Sequence, residues 1–207
     1  KMKQLGIYVL FVDSNPDPHE FNCIQPNLQM MVETAIEYFV QAGYQKIGFI
    51  GGRSWDSTEG RNVLRDTRTR CFESRARELG LFNQNYVFIG DNFSVDSGYQ
   101  VGREIVGKIR DDLPQAFLVA SDPLAVGVLQ AFNENKLTVP EDVSMISIND
   151  IDIAKYVSPP LTTFRIDTEE LGKVAVETLR NLIVAPKKSK RMILLDADLV
   201  FRKSFSI

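Results

Sequence analysis

The sequence predicts an α/β fold, a parallel sheet with helices on both faces. Short apolar runs recur along the 207 residues, and most are separated by stretches with apolar side chains at three- and four-residue steps. Strand alternating with helix in this way reads as parallel sheet. Two of the strands end in small polar pairs, Ser121-Asp122 and Asn149-Asp150. Short hydrogen-bonding side chains then emerge at neighbouring strand carboxyl ends, the edge where open α/β sheets bind small ligands.

Taken in order, residues 7–12 form the first apolar run, with Asp13 directly after it. Residues 13–26 carry three prolines and no helical spacing, and read as loop. Leu28, Met31, Val32, Ala35, Ile36, Phe39 and Val40 make one helical face, which Gly43 closes. A strand at 46–50 leads into 53–61, rich in Gly, Ser, Asp and Glu, and then a helix carrying Phe72 and Leu79, with Asp66 and Arg68 near its start. The strand at 86–89 precedes Gly90-Asp91-Asn92-Phe93 and a helix with Tyr99, Gly102, Ile105, Val106 and Ile109 on one face. Strand 117–120, the helix of Leu124, Ala125, Val128, Leu129 and Phe132, strand 143–148 and strand 162–166 follow. Leu171, Val174, Ala175, Leu179, Leu182 and Ile183 mark a last helix, with Thr168 as its N-cap and Glu169-Glu170 in its first turn.

Composition narrows the function. A net charge of −3 argues against this stretch itself gripping nucleic acid, because phosphate contacts want clustered Lys and Arg. The basic run Lys187-Lys188-Ser189-Lys190-Arg191 sits just past a helix and reads as a solvated turn. Two cysteines, Cys23 and Cys71, do not make a disulfide framework, which points to a reducing compartment. No run approaches the ~20 apolar residues of a membrane span. The opening Lys1-Met2-Lys3-Gln4 stands directly ahead of a strand, as if cut from a longer protein.

Enzyme and metal signatures are missing. His19, in a proline-rich loop, is the single histidine, so there is no His-pair zinc site and no Ser-His-Asp arrangement not built on it, and no G-x-G-x-x-G occurs to support a dinucleotide site. Gly102 to Lys108 has P-loop spacing, but Ile109 stands where Mg²⁺ needs Ser or Thr, and the spacing is helical. What remains is Asp13, Ser121-Asp122 and Asn149-Asp150 after strands, Asp66 and Arg68 near a helix start, and the ring of Phe93 just ahead of another helix. Carboxylate, guanidinium, amide and aromatic ring together suit a sugar, whose hydroxyls donate and accept and whose CH face stacks on a ring. Singly they also read as ordinary structure: Ser121-Asp122 and Asp150 as helix N-caps, Phe93 as core.

The wording of several segments is similar to the effector-binding region of the lactose/galactose repressor family of bacterial transcription regulators. These are Ala120-Ser121-Asp122-Pro123-Leu124-Ala125-Val126-Gly127, Val139-Pro140-Glu141-Asp142-Val143-Ser144, Ile148-Asn149-Asp150, Pro159-Pro160-Leu161-Thr162-Thr163 and Leu171-Gly172. Upstream, Val12-Asp13, the run from Ala42 to Gly52, and Arg68-Thr69-Arg70-Cys71-Phe72 fall in the family's order, and Asp198 to Ser204 looks like its terminal strand. The resemblance spans essentially all 207 residues, and the Ile148-Asn149-Asp150 and Ala120-Ser121-Asp122 variants, with Asp66 two before Arg68, look closest to repressors of β-galactoside operons.

The resemblance implies a two-subdomain, periplasmic-binding-protein-like (type I) fold, truncated at its N-terminus. Residues 1–24 plus 165–190 would form an incomplete N-terminal subdomain, and 25–164 plus 191–207 the C-terminal one. The chain would cross between them near 24–27, 164–167 and 191–193. The family's sugar contacts fall on Asp13, Arg68, Phe93, Ser121 and Asn149, with Asp66, Asp122 and Asp150 as possible supports behind them. Ser121 stands where Asn is usual, Asn149 where Asp is usual, and Cys71 where Gly is usual. An amide in place of a carboxylate both donates and accepts, which bears on the preferred sugar or anomer.

The implied protein is a cytoplasmic homodimeric repressor with no cofactor and no enzyme activity. It answers to galactose or a β-galactoside and reads operator DNA through an N-terminal helix-turn-helix absent from these residues. Loss of that basic reader fits the acidic balance. Loss of the first strands would leave sheet edges to protect in the N-terminal subdomain. A periplasmic sugar-binding protein of a transport system shares the fold and is the alternative. An enzyme would need an acid/base pair, which Asp13, Asp122 and Asp150 could supply.

Overall fold

The computed structural model describes residues 7–14, 17, 19–53, 66–186 and 189–205. The loop at 54–61, residues 1–4 and Lys187-Lys188 of the basic run therefore lie outside the described residues. In chain order the elements are β1 (Leu10–Val12), β2 (Asn22–Pro26), α1 (Leu28–Gln41), β3 (Ile47–Gly52), α2 (Thr67–Glu78), β4 (Val87–Gly90) and α3 (Val95–Ile109). Then come β5 (Ala116–Val119), α4 (Asp122–Glu134), β6 (Ser144–Asn149), β7 (Thr162–Arg165), α5 (Thr168–Val184), β8 (Met192–Leu195) and β9 (Asp198–Val200). The chain divides into two compact units: Lys1–Asn27 with Ile166–Ala197, and Leu28–Arg165 with Asp198–Ile207.

The smaller unit is a three-stranded parallel sheet in the order β1-β2-β8, against which α5 packs. Two of its strands carried no clear signal. β2 follows a proline-rich loop and ends on Pro26, and β8 is short and only half-buried on alternate residues. Residues 191–193 had been expected to cross between subdomains. Instead Met192 pairs with Cys23 and Leu195 with Pro26, so β8 stays in this unit and the chain leaves it at Ala197/Asp198. Helix α5 is capped by Asp167, whose carboxylate accepts from Glu170 N at 2.8 Å; Thr168, the expected cap, is already the first helical residue.

The larger unit is a six-stranded sheet in the order β4-β3-β5-β6-β7-β9, parallel except for β9. From β3 the chain steps outward to β4, then returns across β3 to β5 and continues to β6 and β7. Right-handed crossovers in opposite directions place their helices on opposite faces. Accordingly α1 packs with α2 on one face and α3 with α4 on the other. The stacked pair Phe49–Phe72, 5.1 Å between ring centres, fills the first layer. In the second, a Cβ on Gly98 would collide with Leu124 O and one on Gly127 with Val95 O, so these two glycines let α3 and α4 approach backbone to backbone. The reversal of direction at β3 and β5 makes a switch point at the carboxyl ends of the strands.

Candidate functional site

At that edge the residue order of the sheet becomes a row of ends: Gly90, closing β4, and on to Phe93; Gly52, closing β3; Ala120-Ser121, after β5; and Asn149, closing β6, with Asp150 next. Counting on from the pairs Ala116↔Ser144 and Leu118↔Ile146, Ser121 comes level with Asn149. Arg68 reaches the row from the first turn of α2. Asp66 caps that helix by accepting from Arg68 N at 2.9 Å, and the same carboxylate then grips the guanidinium, accepting from Nε at 2.6 Å and Nη2 at 2.9 Å. Arg68 Nη1 donates to Ala120 O at 2.7 Å, spanning the switch point. Its guanidinium lies 4.6 Å from the centre of the Phe93 ring. Three of the five guanidinium N–H groups are committed by these bonds, which leaves one on each terminal nitrogen.

Ser121 and Asn149 each leave a side-chain oxygen without a partner. Ser121 occupies the N-cap position of α4 but makes no capping hydrogen bond. Among the described residues, three buried side-chain polar atoms have no hydrogen-bond partner: Arg75 Nε, Ser121 Oγ and Asn149 Oδ1. Buried polar atoms are normally paired, so two orphan oxygens level with one another at the switch point call for a polar ligand. Asn149 also has φ of 122° and Asp150 φ of 53°, a left-handed kink that non-glycine residues adopt at a cost.

The two neighbouring carboxylates hold the kink and do not face a ligand. Asp122, fully buried, accepts from Ser147 Oγ, from Thr163 Oγ1 at 2.7 Å and from Ile151 N at 2.8 Å. Burial pushes its carboxyl up, against the lowering effect of those hydrogen bonds. Asp150, with a side chain 2% exposed, accepts from Arg165 Nε at 2.7 Å and Arg202 Nη2 at 2.6 Å. Burial alone would raise it, yet the two guanidinium groups hold it below the usual carboxylate range. Neither acts as a helix cap.

Arg68, Asp66, Phe93, Ser121 and Asn149 thus share one edge of the larger unit. Asp13 belongs to the smaller unit, at the end of β1, where its backbone has φ of 71° and its N–H donates to Ile24 O at 2.9 Å. Sequence reasoning did not single out Ala120, which contributes only a carbonyl, nor Gly52. A Cβ on Gly52 would lie 2.6 Å from Asn92 O and 3.1 Å from Phe93 Cγ, so the glycine is what allows the Phe93 loop to rest on the strand end. The Gly51-Gly52 pair closing a buried strand was the available signal. Gly52→Val should shift Phe93 and weaken ligand binding by roughly tenfold, in line with the ~1–3 kcal/mol of overpacking. Wild-type affinity in that variant would show that Phe93 need not stay in place.

The sequence profile of the "Periplasmic binding protein-like domain" family matches residues 36–205. The chain is 39% identical over 197 residues to the HTH-type transcriptional regulator GanR of Bacillus subtilis (strain 168), covering 95% of this chain and 59% of that protein. It is 42% identical over 196 residues to the HTH-type transcriptional regulator LacR of Lactobacillus helveticus, covering 95% and 58%. It thus spans about three fifths of these relatives. Among solved structures, a lac repressor dimer bound to operator and the anti-inducer ONPF is similar with a TM-score of 0.79 and 26% identity, covering 95% of this chain and 56% of that one.

Proposed function

The chain belongs to the periplasmic-binding-protein-like domain family, and from that membership we propose that it is the sugar-sensing part of a bacterial transcriptional repressor. Its effector is galactose or a β-galactoside. The observation that carries this reading is the pair of orphan oxygens, Ser121 Oγ and Asn149 Oδ1, beside two uncommitted N–H groups of Arg68 and the ring of Phe93. These are acceptors, donors and a stacking face, the set a sugar ring needs. Asp13 enters the site only through the family resemblance.

In the intact protein, operator DNA is read by a helix-turn-helix outside these residues, two copies act together, and the protein works in the cytoplasm. Relatives that are HTH-type regulators support this over a transport role. No helix among the described residues is long and apolar enough to cross a membrane. Asp122 and Asp150, two of the three carboxylates that an enzyme could use as acid and base, are occupied by Ser147, Thr163, Ile151 and two arginines. Sugar acts by preferring one arrangement of the repressor over another, so operator affinity falls by that preference, typically ~1–3 kcal/mol.

Calorimetric titration with galactose, lactose, allolactose-like galactosides, glucose and ribose tests the proposal. Saturable binding confined to galactosides is the expected result; binding to none by a folded protein contradicts it. Ser121→Ala separates site from scaffold. Deleting an unpaired buried hydroxyl should leave Tm unchanged or slightly higher, while sugar affinity falls about tenfold, the worth of one hydrogen bond. A drop in Tm with unchanged affinity would make Ser121 structural.

A further inference from the structure

The Asn149–Asp150 kink lies on the same rung of the sheet as two of the places where the chain passes between its units. Asn149 pairs with Arg165 on β7, and Arg165 pairs with Asp198 on β9. Arg165 is the last residue of the larger unit before the chain leaves at Ile166, and Asp198 is the first on its return. The rung that begins with an orphan amide oxygen therefore ends on both crossings.

Side chains repeat the connection. The Asp150 carboxylate holds Arg165, whose side chain is 56% exposed, and Arg202, only 13% exposed, in the segment after β9. Arg202 is fixed further by donating from Nη1 to Leu161 O at 2.8 Å, just ahead of β7. The kink is held from its other side by Asp150 N donating to Thr163 Oγ1 at 3.3 Å and by Asp122 accepting from Ile151 N. A change of backbone torsion at Asn149 cannot be absorbed in loop, because the residues on each side are tied. It passes to the carboxylate of Asp150 and so to both arginines.

Resting on the sugar-sensing reading above, we propose that this kink is the transmitter of the effector signal. A sugar hydroxyl taken up by Asn149 Oδ1 resets the kink, and Asp150 carries the change to the two crossing strands. Asp150 is a positioning residue acting through Arg165 and Arg202.

Amide hydrogen exchange on the intact protein tests this, comparing wild type with Asp150→Asn and with Arg165→Gln, a replacement at an exposed side chain that spares the fold. Without any ligand, both variants should speed exchange at 162–166 and 198–202 by roughly tenfold while β3, β4 and β5 stay as in wild type. With a saturating galactoside, wild type should gain protection at both crossings. Arg165→Gln should lose that gain while keeping sugar affinity within about twofold. Unchanged exchange at both crossings, or faster exchange spread over the whole sheet, overturns the proposal. A wild-type protein indifferent to every sugar of the panel overturns effector signalling and the sugar reading together; the ligand-free comparison then still decides whether the kink sets the crossings.

Discussion

Arg68→Ala is expected to weaken sugar binding at least about 100-fold while leaving the protein folded. In the proposed site the two uncommitted N–H groups would make charge-assisted hydrogen bonds to sugar hydroxyls, each worth ~1.5–3 kcal/mol, and the lower figure twice gives about 3 kcal/mol. The guanidinium also holds the Phe93 ring that the sugar would stack on, 4.6 Å from its centre. Folding survives because the bond that caps α2 runs from the backbone N–H of Arg68 to Asp66, and alanine keeps it. Lysine should not rescue: one ammonium cannot fork onto Asp66 and also reach Ala120 O. Calorimetry with a parallel melt by circular dichroism reads both quantities. Unchanged affinity would remove Arg68 from the site.

Asp122→Ala is expected to cost the larger unit about 3 kcal/mol, a fall in Tm of roughly 10 °C. Alanine strands the buried hydroxyls of Ser147 and Thr163, releases the N–H of Ile151, and frees the kink they support. The acid limb of stability separates the two carboxylates. The folded-state pKa of Asp122 is raised, so its contribution is greatest below the ordinary carboxylate value of 3.8 and declines as pH rises toward the folded value. Asp150 is lowered, so its contribution is present above 3.8 and is lost as pH falls through its folded value. Denaturant unfolding as a function of pH should therefore show Asp150→Asn losing less stability than wild type on acidification below 3.8. An identical acid limb would mean that the Arg165 and Arg202 pairs contribute nothing.

The larger unit was legible because its central strands β3, β5 and β6 are buried on both faces. The apolar runs at 46–50, 117–120 and 143–148 stand out from their surroundings, and helical spacing marks what lies between. In the smaller unit β1 and α5 were legible but β2 and β8 were not, because β2 follows a proline-rich loop and ends on Pro26, β8 is half-exposed, and the two pair across the chain. At the site, the polar pairs after two strands gave the edge, and the family wording gave the individual residues. Local reading left Ser121 open between cap and contact; in the structure it stands at the cap position with no capping bond and an orphan oxygen, which supports the contact we propose. The partners of Asp150 had no signal at all. Arg165 reaches it from β7 and Arg202 from the segment after β9, and nothing in the spacing of 150, 165 and 202 announces the meeting.

The most direct test of the sugar site is a crystal structure of this protein with the tightest-binding sugar of the panel. Hydroxyls about 2.7–3.2 Å from the Arg68 terminal nitrogens, Ser121 Oγ and Asn149 Oδ1, with a CH face against Phe93, are the predicted result. A sugar bound elsewhere, with those two oxygens still unpaired, would contradict it.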